Sequence, residues 1–542
     1  MTTSEEAVRP VDVGVARRDR SRRWAWWVFV GVVLAAGVLI LARFNGGRWF
    51  VLDDWDFLAQ RRLGSFADLM RPHNAEHWST LPIVVYRVLY AVVGLRHHWP
   101  YQAVVVGLHL VAVVLLRAVM RRAGVAPWTA TITAASLLLF GPGADGILSS
   151  FQMTFLGSLV FGLTQLLLAD HDGPWDRSDW LGLAAGAAGL MCSGLGVTMV
   201  VVVGISTWLR RGWRFAAGHV LPLAALYAIW WQGEGRPHER SPSATFAHVA
   251  RETAAFAVAG VRYTFVALGH FALLGLVLAA AVVVGLALAW RPGGTSRLRG
   301  AGAPVAALLV GALMFLVVSG SGRWFFGADY ASQSRYMYVT VALLLPAVGL
   351  AIQSIAQRWS YALPVLLAVL LVATAANAHE FAQQSGKAWA VDHRNLLQAL
   401  SASPLARRVP ADVVPSPLAD PGLTIGWLLQ ARADGKVATP TLPARLRGQV
   451  LVALGFTQDG SAFARYALTH CQVAHAVRVR PRQGDSVLVE SGLVAIRARV
   501  PGSDDWSTPL KYDTGPAGAV FQVRTSDLDL VIGHHGPVKV CT

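Results

Sequence analysis

Long apolar runs alternate with short polar breaks over the first 377 residues, and this rhythm predicts helices that cross a bilayer. Residues 24–42 (WAWWVFVGVVLAAGVLILA) carry no charge over nineteen positions, residues 271–289 and 301–319 match that length, and 337–357 is longer. At ~1.5 Å per residue, each run reaches across a hydrocarbon core of ~30 Å. The first run is too long for a cleavable signal, and no small-residue cleavage site follows it. The pattern predicts eleven spans, at about 24–43, 101–118, 128–141, 153–169, 180–192, 195–208, 217–231, 270–290, 302–319, 337–356 and 361–377. The two short runs flanking "MCSGLG" at 191–196 are also compatible with one broken or re-entrant element. If 80–95 and 254–267 cross instead of lying along the interface, the count becomes thirteen and everything between them inverts.

The texture changes from about 391 onward. "LLQAL…PLARRV" and "GWLLQARADG" read as short amphipathic pieces in a Pro-rich setting. Then "QVLVALGF", "AVRVRP", "DSVLVE", "GLVAIRARV", "AVFQVRT" and "LDLVIG" follow as short apolar or alternating runs between Gly, Asp and Pro. That pattern predicts strands. The expected architecture is a mainly α polytopic membrane protein with a small C-terminal domain, mainly β or α+β. Its parts are a tail (1–23), a transmembrane domain (24–377) whose loop 44–100 carries the candidate chemistry, and the domain 378–542.

Composition supports the membrane reading. Of 542 residues, 54% are apolar and only 14% charged, too few charges to cover a soluble protein of this length. The net charge of +16 raises the question of nucleic acid. However, the cations sit mainly between apolar runs, and no basic face is interleaved with aromatics, so nucleic acid is excluded as partner. They act as topology signals instead. Arg17, Arg18, Arg20, Arg22 and Arg23 precede the first span and hold the N-terminus in the cytoplasm. Basic knots at Arg117/Arg121/Arg122, Arg210/Arg211/Arg214 and Arg291/Arg297/Arg299 fall on the same side. The C-terminal domain is then extracytoplasmic, where Cys471 and Cys541 are able to pair in an oxidising compartment, while Cys192 lies in an apolar run.

This topology gathers polar loops on the outer face, where ionisable residues at a bilayer boundary mark a site. Asp53, Asp54 and Asp56 in "RWFVLDDWDFLAQRRLG" come first. They are either a solvated loop, caps of a short interfacial helix with Trp55 in the aromatic belt, or an acid or metal-ligand site. Adjacent carboxylates repel, and partial burial raises at least one pKa, as a base acting on a sugar hydroxyl needs. In "RPHNAEHWSTLP", His73-x-x-Glu76-His77 matches a zinc pattern if helical. Its alternatives are polar groups lining a substrate-phosphate cleft and a plain surface loop. Asp145 in "GPGADGILSSFQ" caps a helix or joins Gln152 in an outer cleft. Arg323 and Arg335 run against the positive-inside tendency, so they either meet an anion such as phosphate or pair with Asp329 or lipid headgroups.

With these residues together, the chain resembles the GT-C superfamily of integral-membrane glycosyltransferases over roughly 24–377. The resemblance is carried by one N-terminal span leading into Asp53-Asp54, a first outer loop with a His/Glu motif, Asp145 at a helix end, and "SRY" (Ser334-Arg335-Tyr336) opening a late span. The glycine-broken "GLAAGAAGLMCSGLGVTMVVV" is also similar to a segment of such enzymes. The resemblance implies a polyprenyl-phosphate-linked sugar donor and transfer on the outer face to a glycan, lipid or protein acceptor. It implies that Asp53 or Asp54 is the base or orients the acceptor, with Asp145 beside it. His73, Glu76, His77, Arg323 and Arg335 would hold the lipid phosphate or a divalent cation, whose ligands would come from Asp53, Asp54, Glu76 or His77. Many relatives have Lys or Arg before a double proline here; this chain has Arg71-Pro72. The competing classes are a transporter or flippase of a lipid-linked saccharide and a non-catalytic envelope assembly protein. Spans nearly free of charge, with polar groups on one face, favour chemistry over alternating access.

Overall fold

A computed structural model describes residues 13–44, 48–74, 77–235, 244–291, 299–384, 388–438, 444–459, 468, 470–499, 506–507, 509–515, 518–524 and 529–542. The chain forms two compact units. One comprises Met1–Phe44, Met70–Leu81 and Gln102–Ser385; the other comprises Asn45–Leu69, Pro82–Tyr101 and Gly386–Thr542.

The first unit is helical. Among the described residues, seven helices are long and apolar enough to cross a membrane: Arg20–Phe44, Trp99–Arg122, Ser150–Ala169, Ala272–Ala289, Ala303–Phe326, Ser334–Arg358 and Ala362–Gln383. All seven fall on predicted spans. Ser334–Arg358 is the central one, buried without interruption from Tyr336 to Ile352. Helix Ala272–Ala289 packs closely against it: Gly285 lies so near the Ala351 backbone that a Cβ there would come within 2.5 Å. Small residues let apolar helices approach this way when lipid removes the hydrophobic drive. Leu273, Leu276 and Val283 on the same helix remain exposed, as expected of a lipid-facing side.

The other predicted spans take different forms. Residues 128–141 hold only a nine-residue helix, Pro127–Ala135, which stops short because Gly141-Pro142-Gly143 turns the chain into a 3-10 step. The "MCSGLG" break separates helices Arg177–Leu190 and Leu195–Arg211. Trp213–Gly233 covers the span predicted at 217–231 but carries more polar residues, and Phe246–Gly269 is a long helix over the segment 254–267, expected along the interface. Exposed Trp24, Trp27, Trp208 and Trp213 stand next to the basic knots in sequence, where an aromatic belt belongs.

The second unit joins two segments from the first loop to the C-terminal region. Helices Ala388–Ala402 and Ile425–Ala433 match the two amphipathic pieces. "QVLVALGF" is not a strand: Ala444–Gly455 is helical, because its apolar face packs on the sheet and only Phe456–Asp459 (β1) is extended. The remaining strands are β2 (Cys471–Val479), β3 (Ser486–Glu490), β4 (Leu493–Arg499), β5 (Leu510–Asp513), β6 (Ala519–Val523) and β7 (Asp529–Cys541). All pairings are antiparallel in the order β1-β6-β3-β7-β4-β5, with β2 on the other edge of β7. The thirteen-residue β7 borders β2 along its length, and β4 and β3 in turn along its opposite edge, so the sheet curves into a half-barrel. Its core includes Phe456 stacked on Phe521, with Val477, Val487, Ile496, Tyr512 and Ile532. Cys471 and Cys541, cross-strand partners, form the disulfide.

Candidate functional site

In the second unit, the acidic cluster opens helix Asp54–Ala59. Leu52 just before it is held at φ +51°, a left-handed conformation rare for a branched residue. The Leu52 N–H donates to the Ala419 carbonyl at 2.7 Å, which fixes the turn. Asp54 is 2% exposed. Its carboxylate accepts from the Val51 N–H at 2.9 Å and from the Tyr86 hydroxyl. Asp53 is half-buried at the helix start. Asp56 has a structural partner: Arg61, itself 2% exposed, donates to both its oxygens at 3.0 and 2.7 Å. Arg61 also donates to the Asp68 carbonyl, and Arg87 donates to the Leu58 carbonyl.

Trp55 is not in an aromatic belt. It is fully buried, edge-on to Phe50 and Trp427, because the helix packs into an aromatic core and does not lie on an interface. Phe50 also meets Tyr101 and His98. Burial, reinforced by the Arg48 charge, pushes the His98 imidazole down to about 3. Nearby in the chain fold, His393 Nε2 and Asp420 Oδ1 make a buried contact at 2.9 Å. Burial raises the Asp420 carboxyl, against the pull of His393.

The first unit holds the remaining candidates, except Glu76, which lies outside the described residues. His73 and His77 form an isolated bridge with each other and do not lie on a helix, so the helical zinc pattern does not form. His73 and His77 exchange both backbone hydrogen bonds, at 2.9 and 3.0 Å, around a turn with Asn74 at φ +47°. The reciprocal pairing satisfies the backbone groups of His73 and His77 in place of a helical ladder. The His73 ring packs on Phe151, beside Gln152. His77 lies against Gly194 of the helix break, whose Met191 carbonyl accepts the Leu81 N–H. Trp78 stacks on Trp230, whose indole donates to the Met70 carbonyl at 2.8 Å. The glycine-broken segment is therefore what receives the 70–81 loop.

Asp145 and the "SRY" motif come together. The Asp145 N–H donates to Ser334 Oγ at 3.1 Å, which sets the short helix Ala144–Leu148 beside the start of Ser334–Arg358. The Arg335 guanidinium donates to the Tyr330 hydroxyl at 2.9 Å and lies over the rings of Tyr330 and Tyr336. No carboxylate among the described residues pairs with it. The Asp329 carboxylate accepts from the Tyr263 hydroxyl at 2.5 Å. Arg323, in the last turn of Ala303–Arg323, donates to the Gly322 carbonyl.

Among the described residues, one group of three ligand-type side chains lies close enough for an ion: His171, Asp176 and Asp179. Asp179 is already neutralised there by Arg211, at 2.6 and 3.2 Å, and accepts from His219 at 3.0 Å. A guanidinium fork on the carboxylate leaves little for a cation to gain. This is a network that ties helix ends together, not a metal centre.

Sequence reasoning missed Tyr86, Arg61, Arg87 and the His393–Asp420 pair. Tyr86 and Arg87 side by side in a mainly apolar helix were the available signal, since a buried phenol or guanidinium needs a partner. No family model matches the chain, and no curated protein or solved structure is similar to it.

Proposed function

We propose that this chain is an integral-membrane glycosyltransferase that moves a sugar from a polyprenyl-phosphate donor to an acceptor hydroxyl at the outer face of the cytoplasmic membrane. One observation carries the reading: the buried, doubly held Asp54 carboxylate stands beside half-buried Asp53 and the left-handed Leu52. Strained backbone next to a buried acid is a combination that function, not stability, selects. A partly desolvated carboxylate is also a better base toward a hydroxyl than one in water.

In this reading Asp53 takes the acceptor proton as the acceptor oxygen attacks the anomeric carbon. The anomeric C–O bond breaks, and the lipid phosphate leaves with the electron pair. Asp54, fixed by Tyr86 and the Val51 N–H, holds Asp53 in place. On the first unit, taken by itself, Arg335, in the first turn of a long helix and without a carboxylate partner among the described residues, is a cation suited to a phosphate group. Asp145 and Gln152 supply polar contacts on the same unit. Eleven spans, a cytoplasmic N-terminus and an extracytoplasmic C-terminal domain belong to the same proposal.

The test incubates the purified protein in nanodiscs with a panel of polyprenyl-phosphate sugars and glycan, lipid or protein acceptors, with and without chelator. Release of polyprenyl phosphate from at least one donor is expected, and its loss in Asp53→Asn with unchanged thermal unfolding. Full turnover in Asp53→Asn, Asp54→Asn and Asp145→Asn alike overturns the assignment. Movement of labelled donor across the membrane without release points to a transporter instead.

A further inference from the structure

The C-terminal half-barrel carries a second feature, independent of the acidic cluster. A cleft of about 390 Å³ opens on the outer face of strands β2, β4, β5 and β7. That volume is within the range of small-molecule sites. Its floor follows from the strand register: Lys511, Ala495, Gly533 and Ala476 stand in one cross-strand row, so three small residues lie side by side. The next row brings Arg497 beside Val531. Disulfide Cys471–Cys541 clamps β2 to β7, which fixes two of the strands before any ligand arrives.

The charged groups of its walls are cations: Arg497 and Lys511 line the cleft together with His475, His534 and His535, and among the described residues no acidic side chain does. Other cations of the sheet are occupied: Arg480 and Arg499 hold Asp529, Lys539 holds Glu490, and Arg478 lies over Trp506. Arg497 and Lys511 have no ion-pair partner among the described residues. Asp513, further along β5 from Lys511, receives the Gly515 N–H. The histidines are not gathered closely enough to hold a metal. Among the described residues no Trp, Tyr or Phe lines the cleft, which leaves no stacking platform there for a neutral sugar ring or a nucleobase.

We propose that this cleft binds an anionic saccharide through its carboxylate or phosphate groups. A recess floored by Ala and Gly admits a discrete sugar-sized unit, whereas a flat bilayer surface does not enter it. Unpaired Arg and Lys supply the charge that such a unit carries in complement. The proposal concerns binding without turnover and does not rest on the transferase reading.

The test titrates the full-length protein, in nanodiscs of zwitterionic lipid, with trigalacturonate, with neutral maltotriose and with glycerophosphoglycerol, a soluble lipid headgroup. Trigalacturonate should bind saturably and weaken as salt rises. Arg497→Gln and Lys511→Gln should each weaken it about tenfold, with thermal unfolding unchanged at these exposed positions. Ala495→Phe, which fills the floor and keeps every charge, should abolish binding. No trigalacturonate binding at low salt, equal binding of maltotriose, unchanged affinity in the three variants, or preference for glycerophosphoglycerol each overturns the proposal.

Discussion

The Tyr86 hydroxyl donates to the buried carboxylate of Asp54, 32 positions earlier in the chain. The bond links helix Thr80–Val93 to the acidic turn and makes the burial of that charge tolerable. Removing the donor leaves a buried carboxylate short of a partner. Tyr86→Phe is expected to cost about 1–3 kcal/mol, read as a lower thermal unfolding midpoint. If the transferase reading holds, it also lowers kcat more than Asp145→Asn does.

Asp56 and Arg61 form a structural pair. Because Arg61 is 2% exposed, Asp56→Ala leaves a buried guanidinium without its carboxylate and should destabilise by about 3–5 kcal/mol. Asp56→Ala combined with Arg61→Met should recover much of that loss. The measurement is a double-mutant cycle by denaturant unfolding; additive losses would count against the pairing.

Asp179 predicts a pH dependence. Burial acts to raise its carboxyl, but hydrogen bonds from Arg211, the Asp176 N–H and His219 outweigh burial and hold it well below the usual carboxylate range. A depressed folded pKa gives stability that is present above the ordinary carboxylate pKa and lost as pH falls through the depressed value. The wild type should therefore keep this contribution through mild acid and lose it only in strong acid. Asp179→Asn should lose about 3–5 kcal/mol already at neutral pH, since the Arg211 side chain is only 3% exposed. Unfolding midpoints measured across pH check both limbs.

The Cys471–Cys541 bond closes a loop with a sequence separation of 70. Chain-entropy reasoning gives it about 4 kcal/mol. Replacing both cysteines with serine should lower the stability of the half-barrel by up to that amount, with faster proteolysis of β2 as the readout.

Arg335→Gln should raise KM for a polyprenyl-phosphate donor by about tenfold or more while leaving the fold intact, since its partners are phenols and not a buried acid. An unchanged KM would remove Arg335 from the phosphate-binding role.

Apolar run length located on its own the seven described helices that are long and apolar enough to cross a membrane, because a bilayer asks for about twenty uncharged residues whatever their neighbours are. Alternation likewise located β2, β3, β4, β6 and β7, and two cysteines in the C-terminal region pointed to their bond. Tertiary structure decided the rest. A helix over this spacing would put His73 and His77 on one face, but in the fold they pair with each other through the backbone and His77 lies against Gly194 of the receiving break. Three adjacent aspartates looked alike in sequence, yet Asp54 is held by Tyr86, Asp56 by Arg61, and Asp53 remains at the helix start. Such differences come from partners dozens of residues away, and no local pattern encodes which side chain a fold will bring to a buried charge.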